Sequence, residues 1–143
     1  MKTVLVVEDD RVYARTISNW LIKNGINARY VLSFNSAREF ITECEVELVL
    51  SDFRLQDGNG VELLEWMKVK GYRKPFLIMT SYGEISGAVE AIKKGAIDYF
   101  SKPIQTEKVL NVIMCLLKSQ NEKQENEWIY YRGKSPLAIK LQE

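Results

Sequence analysis

Acidic, hydroxyl and amino side chains stand at the ends of four apolar runs of this chain, a placement from which phosphoryl chemistry can be built. Glu8, Asp9 and Asp10 follow Val4–Val7 without a gap. Three adjacent carboxylates repel one another, and a buried cluster of them needs a cation. An oxygen-only donor set suits Mg²⁺, which binds through few carboxylates and keeps several waters. The same acids also suit a helix start, and Asp10 fits an N-cap. Asp52 closes the run Val46–Ser51, Thr80 and Ser81 close Phe76–Met79, and Lys102 follows Ile97–Phe100. Each has an ordinary role too: a turn acid, cap hydroxyls, a solvated lysine. Brought to one edge of a sheet they offer more. A carboxylate beside Mg²⁺ attacks phosphorus to give an acyl phosphate. A lysine and backbone N–H groups neutralise charge on the phosphoryl oxygens. A hydroxyl that gains its hydrogen bond only after the group arrives turns the modification into a switch.

The elements that must position these residues alternate along the chain. Val4–Val7, Ala28–Leu32, Val46–Leu50, Phe76–Met79 and Ile97–Phe100 are the strand candidates. The first, third and fourth are nearly continuous apolar runs, as expected of strands covered on both faces. Between them, Tyr13, Ile17, Trp20 and Leu21 form one helical stripe, and Ala37, Phe40, Ile41 and Cys44 the next. Val61, Leu64 and Met67 mark a third helix; Ile85, Ala88, Val89 and Ile92 mark a fourth. Gly25, Gly71 and Gly95 each follow a helical run, where a left-handed cap favours a residue without Cβ. Repeated βα units with right-handed crossovers give an α/β fold, a parallel sheet with helices on both faces. Its binding crevice lies at the carboxyl ends of the strands, at a switch in strand order.

Composition narrows the classes. The 143 residues are 46% apolar and 27% charged, with 20 basic and 19 acidic side chains for a net charge of +1. That balance gives no long-range attraction to nucleic acid or an anionic membrane. No apolar run approaches the ~20 residues of a membrane span. Cys44 and Cys115 sit within apolar stretches and read as reduced core residues of a cytoplasmic protein. The absence of histidine excludes imidazole bases and histidine zinc sites.

A fifth helix around Val109–Leu117 carries apolar residues on two sides. Val109, Val112, Ile113 and Leu116 suit the sheet; Leu110, Met114 and Leu117 are left for a dimer or interdomain contact, or for a helix end under a loop. Lys118–Glu127 is wholly polar, a solvated helix extension or a linker.

The motifs VLVVEDD, LVLSDFRLQDGNG, LIMTS and GAIDYFSKP, in this order and spacing, resemble the receiver domain of two-component response regulators. The resemblance covers residues 1–120 and implies a flavodoxin-like five-stranded sheet of order 2-1-3-4-5. It places Asp52 at the phosphoacceptor position, with Glu8, Asp9, Asp52 and the backbone carbonyl of Arg54 as ligands of Mg²⁺. It places Thr80, the Ser81 backbone and Lys102 at the phosphoryl-contacting positions. Thr80 and Tyr99 take the switch positions, and Lys102–Pro103 the place of a peptide bond that is cis in many relatives. The partner implied is a sensor histidine kinase, which supplies its own histidine. Residues 121–143 are expected to be a helical or flexible linker towards an output domain. A homodimer through the fourth and fifth helices is a further expectation; direct nucleic-acid binding by this chain and membrane association are not. The tail resembles nitrogen-regulator-type activators linked to an ATPase. Gly133-Lys134-Ser135 lacks the upstream glycine of a phosphate-binding loop, so nucleotide binding is not expected.

Two features depart from the receiver pattern: Asp57-Gly58-Asn59-Gly60 replaces a proline-containing loop, and Gly87 lies inside the fourth helix. Gly87 there costs ~1 kcal/mol relative to alanine, which marks Gly83–Ala88 as a segment that rearranges. Two other functions compete. A magnesium-dependent phosphatase or phosphotransferase with Asp52 as nucleophile needs an acid two residues on, where Arg54 stands. A flavodoxin-like electron carrier needs a hydroxyl- and glycine-rich loop after the first strand, where the sequence reads EDDR.

Overall fold

The computed structural model describes residues 2–81 and 84–119. It divides into a unit Met1–Gln105 and a second unit starting at Thr106. The first contains β1 (Thr3–Val7), α1 (Arg11–Lys23), β2 (Asn27–Val31), α2 (Phe34–Glu43), β3 (Leu48–Asp52), β4 (Arg54–Leu55) and β5 (Gly58–Asn59). It continues with α3 (Gly60–Val69), β6 (Phe76–Thr80), α4 (Ile85–Lys93) and β7 (Asp98–Ser101). The described part of the second unit is α5, Thr106–Ser119.

The five main strands are all parallel in the order β2-β1-β3-β6-β7, the flavodoxin-like arrangement expected of the motifs. The chain leaves β1 in one direction to make β2 and in the other to make β3, so the order reverses beside β1. Alternation along the strands separates two sets of core residues. Leu5, Val7, Val49, Phe76 and Ile78 join a cluster with Ala37 and Ile41 of α2, Leu63, Leu64 and Met67 of α3, and Ala91 of α4. Val4, Val6, Leu48, Leu50, Leu77 and Met79 alternate with them and are equally buried. Helix α1 lies against β1 and β2 and buries Ala14, Ile17 and Leu21. Burial on both faces explains why β1, β3 and β6 read as unbroken apolar runs.

Local signals set the helix ends. Asp10 caps α1, accepting from the N–H groups of Val12 and Tyr13. Ser33 caps α2, and Asn59 with Glu62 forms a reciprocal capping box on α3. Gly25, Gly71 and Gly95 hold φ of 85°, 87° and 122° after α1, α3 and α4, the left-handed region expected of them.

Several expectations need correction. The third strand begins two residues later than its apolar run and includes Asp52. A two-stranded antiparallel ribbon, β4–β5, follows β3 and has no periodic signal in the sequence. Cys44 is exposed rather than in the core, because it is the C-cap of α2 and already leaves the helix in an extended conformation. On α4 the buried residues are Ala88 and Ala91, while Ile85 and Val89 are 46% and 43% exposed. In the second unit Val109, Val112, Ile113 and Leu116 are buried, Leu110 and Leu117 half-buried and Met114 exposed. The expected linker 121–143, with Gly133-Lys134-Ser135, and residue Gly83 lie outside the described residues.

Candidate functional site

Parallel register brings the chemical residues to one edge. Val7 pairs with Ser51, Asp52 with Met79, and Thr80 with Ser101, so Glu8, Asp52, Thr80 and Lys102 all stand at carboxyl ends of neighbouring strands. Backbone bonds extend the sheet past the strand ends: Glu8 N–H to Val31 O, Phe53 N–H to Met79 O and Lys102 N–H to Thr80 O. The connection Asp52–Gly60 then turns sharply back. The Gly60 N–H donates to Phe53 O, and a Cβ on Gly60 would lie 3.0 Å from the Asp52 carbonyl oxygen and 2.7 Å from Ile78. Glycine is required there by close approach.

Lys102 ties the acids together. Its Nζ donates to Glu8 Oε1 at 2.5 Å and to Asp52 Oδ2 at 3.1 Å, while Glu8 Oε2 accepts from the Asp10 N–H at 3.0 Å. Glu8 is 1% exposed and Asp52 5%. Burial pushes the Glu8 carboxyl up from 4.5 to about 7, against the opposing pull of Lys102 and the Asp10 N–H. Burial raises Asp52 also, again opposed by Lys102. Burial works against the Lys102 charge, but its bonds to Glu8 and Asp52 outweigh that and raise its pKa.

Carboxylate oxygens of Glu8, Asp9 and Asp52 lie within 4.8 Å of one another. Asp52 Oδ1 and Thr80 Oγ1 are buried without a hydrogen-bond partner among the described residues. An orphaned buried oxygen costs about 1–3 kcal/mol. An acidic group with one uncompensated oxygen fits a hard cation, since a single lysine cannot neutralise the set.

The other expected residues are placed as follows. Ser81 directs its backbone N–H to Glu84 Oε1 at 2.9 Å. Arg54 is exposed on β4, and its Nε donates to Glu84 Oε2 at 2.7 Å. Tyr99 is half-buried against the core cluster near Ile78, its register partner. The Lys102–Pro103 peptide bond is cis.

Three contacts of the site had no sequence signal. Tyr13 reads as core but lies under Lys102, whose Nζ is 4.8 Å from the ring centroid; its hydroxyl also accepts from the Ile104 N–H at 3.5 Å. Phe53, next to Asp52, packs its ring onto Gly87, where a Cβ would approach within 2.3 Å. Gly87 thus makes room for an aromatic ring. Asp57 accepts from the Phe34 and Asn35 N–H groups at 2.7 and 3.0 Å, tying the loop after Asp52 to the start of α2. Those bonds supply the restraint for which the loop has no proline.

A doubly wound parallel sheet with a lysine-bridged acidic pocket at its carboxyl edge defines a class of α/β signalling domain. Residues 4–114 match the response regulator receiver domain, and the chain belongs to that family. It is therefore a phosphorylation-controlled receiver of two-component signalling, and the family assignment does not support the phosphatase alternative. The transcriptional regulatory protein ZraR of Klebsiella oxytoca is 39% identical over 108 residues, 74% of this chain and 24% of that protein. The photosynthetic apparatus regulatory protein RegA of Rhodobacter capsulatus is 27% identical over 114 residues, 80% of this chain and 62% of RegA. The chain spans only 30% of PilR of Pseudomonas aeruginosa and 58% of TdiR of Thauera aromatica. Among solved structures, the receiver domain of NtrX from Brucella abortus aligns with a TM-score of 0.73 and 28% identity, over 78% of this chain and 94% of that one. Full-length FixJ from B. japonicum aligns with a TM-score of 0.81 and 26% identity, over 90% of this chain and 63% of FixJ. Among the described residues no helix is long and apolar enough to cross a membrane.

Proposed function

We propose that Asp52 is the phosphoacceptor of this receiver and that a sensor histidine kinase is its donor. The observation that carries this reading is the buried Asp52 Oδ1 without a partner, beside Glu8 and Asp9 and held through its other oxygen by Lys102. Glu8, Asp9, Asp52 and the Arg54 carbonyl would hold Mg²⁺. When bound, the ion offsets the negative charge of the acids and of the phosphoryl oxygens. In the transfer, an Asp52 oxygen forms a bond to phosphorus as the bond from phosphorus to the donor breaks, and the donor leaves with that electron pair. Lys102 keeps one Asp52 oxygen in place and presents a positive charge to the incoming group. The Thr80 hydroxyl gains in the phosphoryl group the partner it lacks. Tyr99, on the adjacent strand β7, is the aromatic that would register the change. On this reading the domain is regulatory and cytoplasmic, with at most self-phosphorylation and self-dephosphorylation.

Relatives named as transcriptional regulators support an output in transcription, carried by a further domain. Exposed Ile85 and Val89 on α4, and exposed Met114 on α5, support self-association through those helices. Incubation with Mg²⁺ and acetyl phosphate tests the central claim. One acid-stable, hydroxylamine-labile phosphoryl group per chain, lost in Asp52→Asn, is the expected result. Repeated turnover of a phosphomonoester, or undiminished labelling of Asp52→Asn, would refute it.

A further inference from the structure

Glu84 stands between two donors beside the phosphoacceptor pocket. Its Oε1 accepts from the backbone N–H of Ser81, the residue directly after Thr80, and its Oε2 from Arg54, two residues after Asp52. The Glu84 side chain is 11% exposed, whereas Arg54 is 75% exposed. Burial raises the Glu84 pKa, but the bonds from Arg54 and the Ser81 N–H hold it below the usual range, so it is ionised in neutral solution. A helix-start tie between Ser81 and Glu84 follows from their three-residue spacing alone. It does not account for Arg54, which reaches Glu84 across 30 residues of chain.

We propose that Glu84 is a resident anion that occupies the Ser81 N–H, is clamped there by Arg54, and must be displaced before a phosphoryl group on Asp52 can use that donor. The proposal rests on Asp52 being the phosphoacceptor. One N–H serves either the carboxylate or a phosphoryl oxygen well, not both. Displacement therefore opposes acceptance and lengthens the wait for the modified state. It also carries the event outward. Glu84 is the N-cap residue of α4, and among the described residues no side chain caps that helix, so release of the Ser81 bond loosens the helix start. Phosphorylation at the β3 end is thereby coupled to α4 through a bond exchanged rather than through packing.

The test is the initial rate of phosphorylation of the 143-residue chain by acetyl phosphate with Mg²⁺, alongside the amide resonance of Ser81. Glu84→Ala is expected to raise the rate about fivefold, the scale of one partly exposed ionic hydrogen bond. Its Ser81 amide proton is expected to move upfield in the unmodified protein. Arg54→Ala, a change at an exposed side chain that leaves the fold intact, is expected to raise the rate by a smaller factor. The double variant is expected to match Glu84→Ala alone, because the clamp has nothing left to hold. The proposal is overturned if Glu84→Ala accepts no faster while the unaltered chain is labelled. It is overturned also if the two changes multiply, or if the gain vanishes in about 1 M salt, where the screening length is ~3 Å and only long-range charge would be lost. Should Glu84→Ala fail to fold, an unchanged rate in Arg54→Ala refutes it alone. An unaltered chain that takes no label refutes instead the phosphoacceptor reading, and this inference with it.

Discussion

Magnesium binding should depend steeply on pH between 6 and 8, although carboxylates ordinarily titrate far below that range. The perturbation is the proton on Glu8, whose pKa stands at about 7 because the side chain is 1% exposed and faces Asp52. A cation competes with that proton for the carboxylate, so the apparent dissociation constant scales as one plus the ratio of proton concentration to the acid constant. With a pKa of about 7 that factor is about 1.1 at pH 8 and about 11 at pH 6, a tenfold loss of affinity. With the ordinary 4.5 it would change by only about 3%. Linkage gives the sign for folding. A pKa raised in the folded state contributes stability fully present below 4.5 and lost as pH rises through about 7. The shift corresponds to on the order of 3 kcal/mol. Raised Asp52 acts in the same direction. The metal-free melting temperature should therefore fall from pH 5 to pH 8, and the increment produced by Mg²⁺ should grow over the same window. Calorimetric titration in two buffers of different ionisation enthalpy measures both quantities. Close to one proton should be released per ion at pH 6 and about 0.1 at pH 8. Glu8→Gln should weaken the dependence, leaving only what Asp52 contributes. An affinity that is flat from pH 6 to 8, or binding without proton release at pH 6, would refute the reasoning.

Gly87→Ala should destabilise by about 1 kcal/mol, because displacing the Phe53 ring outweighs the helix propensity gained; a higher melting temperature would contradict the packing. Asp57→Ala removes two bonds at the start of α2 and should cost about 1 kcal/mol in urea unfolding. The amides of Phe34 and Asn35 keep the Asp57 pKa low, although burial opposes them, so this difference should persist at neutral pH and shrink under strong acid, below the usual carboxylate range. Thr80→Val replaces a buried hydroxyl without a partner and should be neutral or stabilising by up to ~1 kcal/mol. The same variant should still be labelled at Asp52 yet show no change at Tyr99 on labelling; a normal Tyr99 response in its NMR spectrum would remove Thr80 from the switch.

The sequence by itself determined the order of the five main strands and the helices between them, and the position of each chemical residue at a strand end. These follow from short-range causes: apolar runs for strands covered on both faces, 3.6-residue stripes for helices, Asp10 as a cap, and Gly25, Gly71 and Gly95 at left-handed positions. Residue type and spacing also singled out Glu8, Asp9, Asp52, Thr80 and Lys102, since strand ends in such a sheet share an edge. Only the tertiary structure decided what these groups touch. Lys102 reaches Glu8 and Asp52 across 94 and 50 residues, contacts fixed by register and loop paths. Tyr13 was legible as a core residue, because one helical stripe does not distinguish a ring beneath a lysine from a ring in the core. Cys44 looked buried by its neighbours but stands where α2 has already ended. Gly87 looked like a weak point in a helix until Phe53 appeared against it, and the contact of Glu84 with Arg54 carried no signal at all. Periodicity and capping are properties of a few consecutive residues. Hydrogen bonds between elements depend on where the whole chain brings their ends.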